Sequence, residues 1–351
     1  MKNYILHIGL PKTGTKALQK ECFDHLNPAS ICYNPPLIFR ALTEMLKLID
    51  FDMETEKDIR LLKDVIASEE EKISHDTILI SHEILSQRLG KFDYRKRADF
   101  LKSIFPDATI VMILRYQPDL LRSLYIQFLQ QNYLLKHNEV FNQNELSIVS
   151  KTEKWRTTML IDIKQWNYTE AVQYFKSLYG DNFHVFFYEN FPNAIELGKE
   201  ILTLKNIKIT TQSAANFPRI NISYDAKIIR LMFFICYFKV AFKSNRGINS
   251  LHMKDLMDQA NQARFNFNAD GVENFLLRLQ NPNHISKDLY SPLDSRIRRV
   301  LTKLQSILVS FSYSEYKLPT LLMKQLERDA KKMNASLHKV IDNSLIPKQY
   351  L

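Results

Sequence analysis

Apolar residues follow two rhythms along this chain. Short continuous apolar runs occur at Tyr4–Gly9, Thr77–His82, Ala108–Leu114 and Phe183–Tyr188. Runs of that length read as strands buried on both faces. Between them, apolar residues recur every three or four positions: Ala17, Leu18, Cys22 and Leu26, then Leu42, Met45, Leu46 and Ile49, then Ile59, Leu62, Val65 and Ile66. That spacing predicts amphipathic helices. Further helices are predicted over Phe92–Phe105, ended by Pro106, from about Pro118, and over Tyr168–Tyr179, stopped by Gly180. Strands alternating with helices predict an α/β fold, a central parallel sheet flanked by helices. Strand signals stop at Ser223. Segments 225–243, 250–264, 270–280, 294–311 and 319–340 read as helices. The chain therefore divides into an α/β core, residues 1–225, and a helical C-terminal part, residues 226–351, packed on it. No internal repeat is present.

Composition narrows the class. The 351 residues are 45% hydrophobic and 25% charged, a globular balance that excludes dominant disorder. Seven Gly and twelve Pro are too few for a turn-rich β fold. Three cysteines, Cys22, Cys32 and Cys236, show no CxxC pairing, which argues against a disulfide scaffold or a cysteine zinc site and for a reducing compartment. The net charge of +10 favours anionic partners. No consecutive basic run argues for nucleic acid. The most apolar late segment, Ile228–Phe242, is interrupted by Arg230 and Lys239 and is shorter than the ~20 residues that span a bilayer. It reads as a buried helix, with membrane-surface contact as the minor alternative. The N-terminal apolar stretch is too short for a signal peptide, so a cytoplasmic location is expected.

The chemistry begins after the first strand. Gly9-Leu10-Pro11-Lys12-Thr13-Gly14-Thr15 leads from that strand into a helix. A helix N-terminus presents free N–H groups and positive potential, which suit phosphate. Lys12 adds a charge, Thr13 and Thr15 add hydroxyls, and Gly14 admits a close anion. Gly9 and Gly14 have the spacing of a Walker A loop, but Thr15 stands where its lysine belongs. A kinase or NTPase is thus the weaker alternative.

Pro11-Lys12-Thr13-Gly14-Thr15, followed by Lys16 and Ala17, resembles the 5′-phosphosulfate loop of sulfotransferases that use 3′-phosphoadenosine-5′-phosphosulfate (PAPS). The form is most similar to bacterial carbohydrate-type members. A second motif of that family is similar here: Arg115, then Ser123 eight positions on, then Tyr125. The resemblance implies a P-loop-like three-layer fold. It also implies that Arg115 and Ser123 grip the 3′-phosphate, with Pro11–Ala17 on the 5′ side. Arg115 leaves the carboxyl end of a strand, where α/β sheets bind ligands, and a guanidinium suits phosphate. The family likeness further implies sulfuryl transfer to a hydroxyl or amine of a carbohydrate or glycolipid, with Lys12 stabilising the leaving group and no metal. Arg219, in Asn216–Ser223, is a candidate further 3′-phosphate ligand; a plain exposed arginine is the alternative. For the general base the sequence offers Glu83 and His82, adjacent at the end of the second strand run. Glu83 is favoured because Ser81-His82-Glu83 is closer to the carbohydrate-type form, and His82 is the second candidate. Tyr188 and Glu189 read as structural, His7 as a satisfied core histidine, Arg122 as a solvated charge, and Trp155 and Trp166 as packing residues. A family member that binds nucleotide or glycan without catalysis is the remaining alternative. The resemblance covers about residues 4–225. The acceptor is not readable from the sequence.

Overall fold

The structure is a computed structural model that describes residues 2–26, 31–49, 54–86, 94–130, 166–207, 226–231, 303 and 316–351. Five strands form one parallel sheet: β1 (Asn3–His7), β2 (Cys32–Tyr33), β3 (Thr77–Ser81), β4 (Thr109–Leu114) and β5 (Phe183–Phe187). Their spatial order is β2-β3-β1-β4-β5. The chain thus departs from β1 in opposite directions, and β1 is the switch point of the sheet. The helices are α1 (Thr15–Glu21), α2 (Pro36–Ile49), α3 (Glu56–Lys72), α4 (Tyr94–Ile104), α5 (Gln117–Gln130), α6 (Tyr168–Tyr179), α7 (Ala194–Thr203) and α8 (Thr320–Asn334).

The alternation of strand side chains explains the layering. Tyr4, Leu6, Ile78, Ile80, Ile110 and Met112 enter a large core with α2 to α6. Their neighbours Ile5, Leu79, Val111 and Ile113 enter a second core with Leu18 and Cys22 of α1 and Leu197, Ile201 and Leu202 of α7. Both faces of the sheet are covered, as the continuous apolar runs require, and the expected three-layer α/β architecture is present. Local signals set the helix ends. Thr55 and Asp58 form a reciprocal capping box on α3. Asn167 and Asn193 accept amide protons at the starts of α6 and α7. Gly180, at φ 56°, ends α6.

Some elements differ from expectation. The two-residue strand β2 and helix α7 were not anticipated. The second strand run, which forms β3, stops at Ser81, so His82 lies beyond it and Glu83 opens a 3-10 turn, Glu83–Leu85. The late helix runs over Thr320–Asn334 rather than to residue 340, and 3-10 turns at Leu337–Lys339, Asn343–Leu345 and Lys348–Tyr350 complete the chain. This segment joins the large core through Leu326, Ala330, Leu337, Ile341, Ile346 and Tyr350. The boundary near residue 225, the segments 250–264 and 270–280 and nearly all of 294–311 lie outside the described residues, as do Trp155 and Cys236. Cys22 and Cys32 are free thiols. Among the described residues no helix is long and apolar enough to cross a membrane.

Candidate functional site

The loops after β1, β3, β4 and β5 all emerge at the carboxyl edge of one parallel sheet, and they carry most of the residues singled out above. Loops at that edge, beside a switch point, are where α/β sheets form ligand crevices.

The β1–α1 loop is shaped by two left-handed residues, Lys12 at φ 63° and Gly14 at φ 79°. Gly14 is required twice over. Its conformation disfavours a side chain, and a Cβ there would lie 2.8 Å from Cε2 of Tyr188. Gly14 is also the N-cap of α1 and supplies no capping side chain. The first amides of that helix have no intrahelical acceptor. Pro11 is buried in the turn, Lys16 is exposed, and Ala17 is half-buried in the first turn of α1. The threonines differ from expectation. Thr13 is fully buried and donates its hydroxyl to Leu10 O at 2.6 Å; Thr15, also buried, places Oγ1 3.4 Å from that of Thr13. Their hydroxyls brace the loop from beneath, so its backbone and Lys12 form the outward face.

Arg115 reaches this loop. Its Nη1 donates to Lys12 O at 2.6 Å. The guanidinium also lies over the ring of Tyr188, 5.1 Å from the centroid. The two basic residues predicted as separate anion grips therefore stand side by side. Lys12 is half-buried, and desolvation lowers its ammonium pKa; Glu83 pulls it back up, while Lys16 and Arg115 push it down. Ser123 sits half-buried in the second turn of α5. Tyr125 belongs to the core, its ring 6.1 Å from that of Tyr316. Arg122 is ion-paired with Asp119 at 3.3 Å rather than simply solvated. Arg219 lies outside the described residues.

The two base candidates diverge. Glu83 is close enough to Lys12 to raise its proton affinity. Its 3-10 turn is latched to the loop by Ser86, whose hydroxyl lies 3.2 Å from both Gly9 O and Glu83 O. His82 packs its ring against Phe39, 5.1 Å between centroids, and burial with the nearby Arg97 charge lowers its pKa to about 4.

A polar network underlies the loop. Ser81 Oγ lies 2.7 Å from Nδ1 of His7, Gln19 donates to Ser81 O at 2.7 Å, and Ser81 N donates to Asn34 Oδ1 at 2.9 Å. This ties β1, β3, α1 and the turn after β2 together. His7 is fully buried, and desolvation lowers its pKa to about 3, so it is neutral. Among the described residues its Nε2 has no partner, so there it is a core histidine satisfied on one side only.

Sequence reasoning missed what holds Arg115 from the other side. Glu189 accepts from Tyr116 N at 2.8 Å and from Tyr350 Oη at 3.0 Å, and burial raises its pKa. Tyr188, 39% exposed, lies against both Gly14 and Arg115. Its place directly after the β5 run was the available signal. Among the described residues no group of His, Cys, Asp and Glu could hold a metal.

No family model matches the chain, and no curated protein matches it. A solved structure similar to it is that of a sulfotransferase from Alicyclobacillus acidocaldarius, at 15% identity and a TM-score of 0.40, over 68% of this chain and 92% of that one.

Proposed function

We propose that this chain moves a sulfuryl group from 3′-phosphoadenosine-5′-phosphosulfate to a hydroxyl or amine of a carbohydrate or glycolipid. The observation that carries the proposal is the 2.6 Å bond from Arg115 to the Lys12 carbonyl. It sets the loop that suits a 5′-phosphosulfate beside the arginine that suits a 3′-phosphate, which supports a reading in which one nucleotide meets both. A guanidinium has five N–H donors, so one bond to Lys12 leaves the others for phosphate.

The reaction follows from the residues. The acceptor oxygen or nitrogen attacks sulfur in line with the bridging oxygen of the donor. The new bond to sulfur forms as the sulfur–oxygen bond to the 5′-phosphate breaks, releasing 3′,5′-bisphosphoadenosine. Charge grows on the bridging oxygen, and the Lys12 ammonium stabilises it electrostatically. Glu83 takes the acceptor proton. Ser123 joins Arg115 on the 3′-phosphate, the loop backbone of residues 11–17 receives the 5′ side, and Tyr188 offers a ring face to the bound nucleotide. The Walker-type alternative is not favoured, because Thr15 occupies the lysine position and is buried.

Calorimetry with 3′,5′-bisphosphoadenosine and adenosine 5′-phosphate tests the binding half. The bisphosphate should bind at least tenfold more tightly, about the effect of one charge-assisted hydrogen bond. Transfer of labelled sulfate to a glycan panel tests the rest. Equal affinity for the two nucleotides, or magnesium-dependent ATP binding in their place, would overturn the assignment.

A further inference from the structure

The turn Arg115–Tyr116–Gln117 joins β4 to α5, and each of its three residues is held by a different partner. Tyr168 donates its hydroxyl to Arg115 O at 2.7 Å. The Tyr116 amide donates to Glu189, whose other carboxylate oxygen accepts from Tyr350. The Gln117 side chain makes a reciprocal pair with Asn334, at 2.7 and 3.0 Å, and both residues are fully buried. Rings reinforce the same place: Tyr350 stands edge-on to Tyr116 at 5.6 Å and to Phe187 at 4.9 Å. Asn190 donates to Leu345 O at 2.7 Å, tying the turn after β5 to the same tail.

Two of these partners, Asn334 and Tyr350, come from the C-terminal segment, and Asn334 lies 217 positions from Gln117. A buried amide pair is costly to half-break, because the surviving partner keeps its desolvation penalty. A half-buried carboxylate that has lost a donor is likewise free to move toward a nearby cation. For Glu189 that cation is Arg115, which already lowers its pKa. The tail therefore reaches the backbone turn that carries Arg115.

We propose that the segment Thr320–Leu351 is a strap that positions the 3′-phosphate grip, with Tyr350 acting through Glu189 and Asn334 acting through Gln117. Neither residue touches the nucleotide; both are positioning residues for Arg115. The proposal rests on Arg115 being the 3′-phosphate ligand. Binding linkage is reciprocal, so a nucleotide that orders Arg115 also tightens the tail.

The test is the ratio of affinities for 3′,5′-bisphosphoadenosine and adenosine 5′-phosphate, measured on the full chain. Tyr350→Phe should lower this ratio about tenfold while the affinity for the monophosphate stays within twofold. Asn334→Leu should lower it in the same direction. Tyr4→Phe is the control. It also removes a phenol–carboxylate bond, Tyr4 to Glu70 at 2.7 Å, but at the amino end of β1, opposite the carboxyl edge, so it should cost stability and leave the ratio unchanged. Should the tail variants fail to fold, hydrogen exchange on the wild-type chain decides. The bisphosphate should slow exchange of residues 343–351 and the monophosphate should not. Wild-type selectivity kept within twofold by both variants, or equal tail exchange with the two nucleotides, overturns the strap alone. A wild-type chain with no preference for the 3′-phosphate overturns the role of Arg115 and the strap with it.

Discussion

Gly14→Ala is the sharpest probe of how the loop is built. Gly14 sits at φ 79° and ψ 9°, so alanine would pay roughly 1–2 kcal/mol for a left-handed backbone. The new methyl would lie 2.8 Å from Cε2 and 3.4 Å from Cδ2 of Tyr188. That ring is at the end of a partly exposed side chain, so it swings aside rather than holding the backbone off. Moving it breaks its stacking with Arg115, worth about 0.5–1 kcal/mol at an exposed site. The sum is a loss of about 1.5–3 kcal/mol, read as a lower urea midpoint with an unchanged m value. Tyr188→Ala separates the parts, because it removes the collision and keeps the backbone strain. In the Gly14→Ala background, truncating Tyr188 should cost about 0.5–1 kcal/mol less than in the wild type. A loss under about 0.5 kcal/mol for Gly14→Ala would refute the strain argument. Additive single losses would refute the ring contact.

Lys12→Ala should lower turnover by roughly 10²–10³-fold, the scale of losing one preorganised charge contact. It should barely change stability, because the lysine carbonyl, not its ammonium, holds Arg115. Lys12→Gly should be more stable than Lys12→Ala by about 1 kcal/mol, since Lys12 is left-handed; equal unfolding midpoints for the two would contradict that. Glu83→Gln should cost about 10²–10⁴-fold in kcat with nucleotide affinity kept, and His82→Gln should leave the acidic limb of the rate profile in place. The reverse result would make His82 the base. Acid should weaken the fold through His7 and His82, whose folded pKa values of about 3 and about 4 lie below the unfolded value of about 6.5. The unfolded chain then binds more protons, so stability is fully present above pH ~6.5 and falls by up to about 1.4 kcal/mol per pH unit for each histidine on going down to pH ~4. Urea unfolding across that window should lose one proton of slope in His82→Gln, and an unchanged slope would count against the buried neutral ring.

The sheet was legible in the sequence because a strand covered on both faces leaves a mark that needs no partner to be seen. Ile110–Leu114 is apolar throughout, and all six residues of the strand Thr109–Leu114 are buried. β2 left no such mark: two half-buried residues at a sheet edge have no period to detect. Helix α7 did carry signals that went unread, with Ile195, Leu197, Ile201 and Leu202 on one face and Asn193 as its cap. For the candidate site, the structure gathers Lys12, Gly14, Glu83 and Arg115, all read from contiguous motifs, at one sheet edge. What stayed hidden is whatever depends on long separations. Ser81 meets His7 across 74 positions and Asn34 across 47, and neither pairing has a local pattern. Thr13 and Thr15 look like ligands because a hydroxyl in a phosphate loop usually faces outward. Here the turn rotates them under the loop, where Leu10 O accepts the Thr13 proton.

The left-handed lysine shows how the loop and Arg115 are built together. A non-glycine residue at φ 63° costs roughly 1–2 kcal/mol and persists only where its surroundings fix it. At Lys12 the surroundings are identifiable. That backbone turn directs the lysine carbonyl at Arg115, and a hydrogen bond to a charged donor contributes roughly 1.5–3 kcal/mol. The bond offsets the strain, so the kinked loop and the aimed arginine stabilise each other. An anion placed between them would meet a lysine whose burial leaves its charge poorly solvated and an arginine with donors to spare. The Lys12 carbonyl holds Arg115 in place, so an anion bound there would require little reorganisation of the guanidinium, and its interaction would be electrostatic.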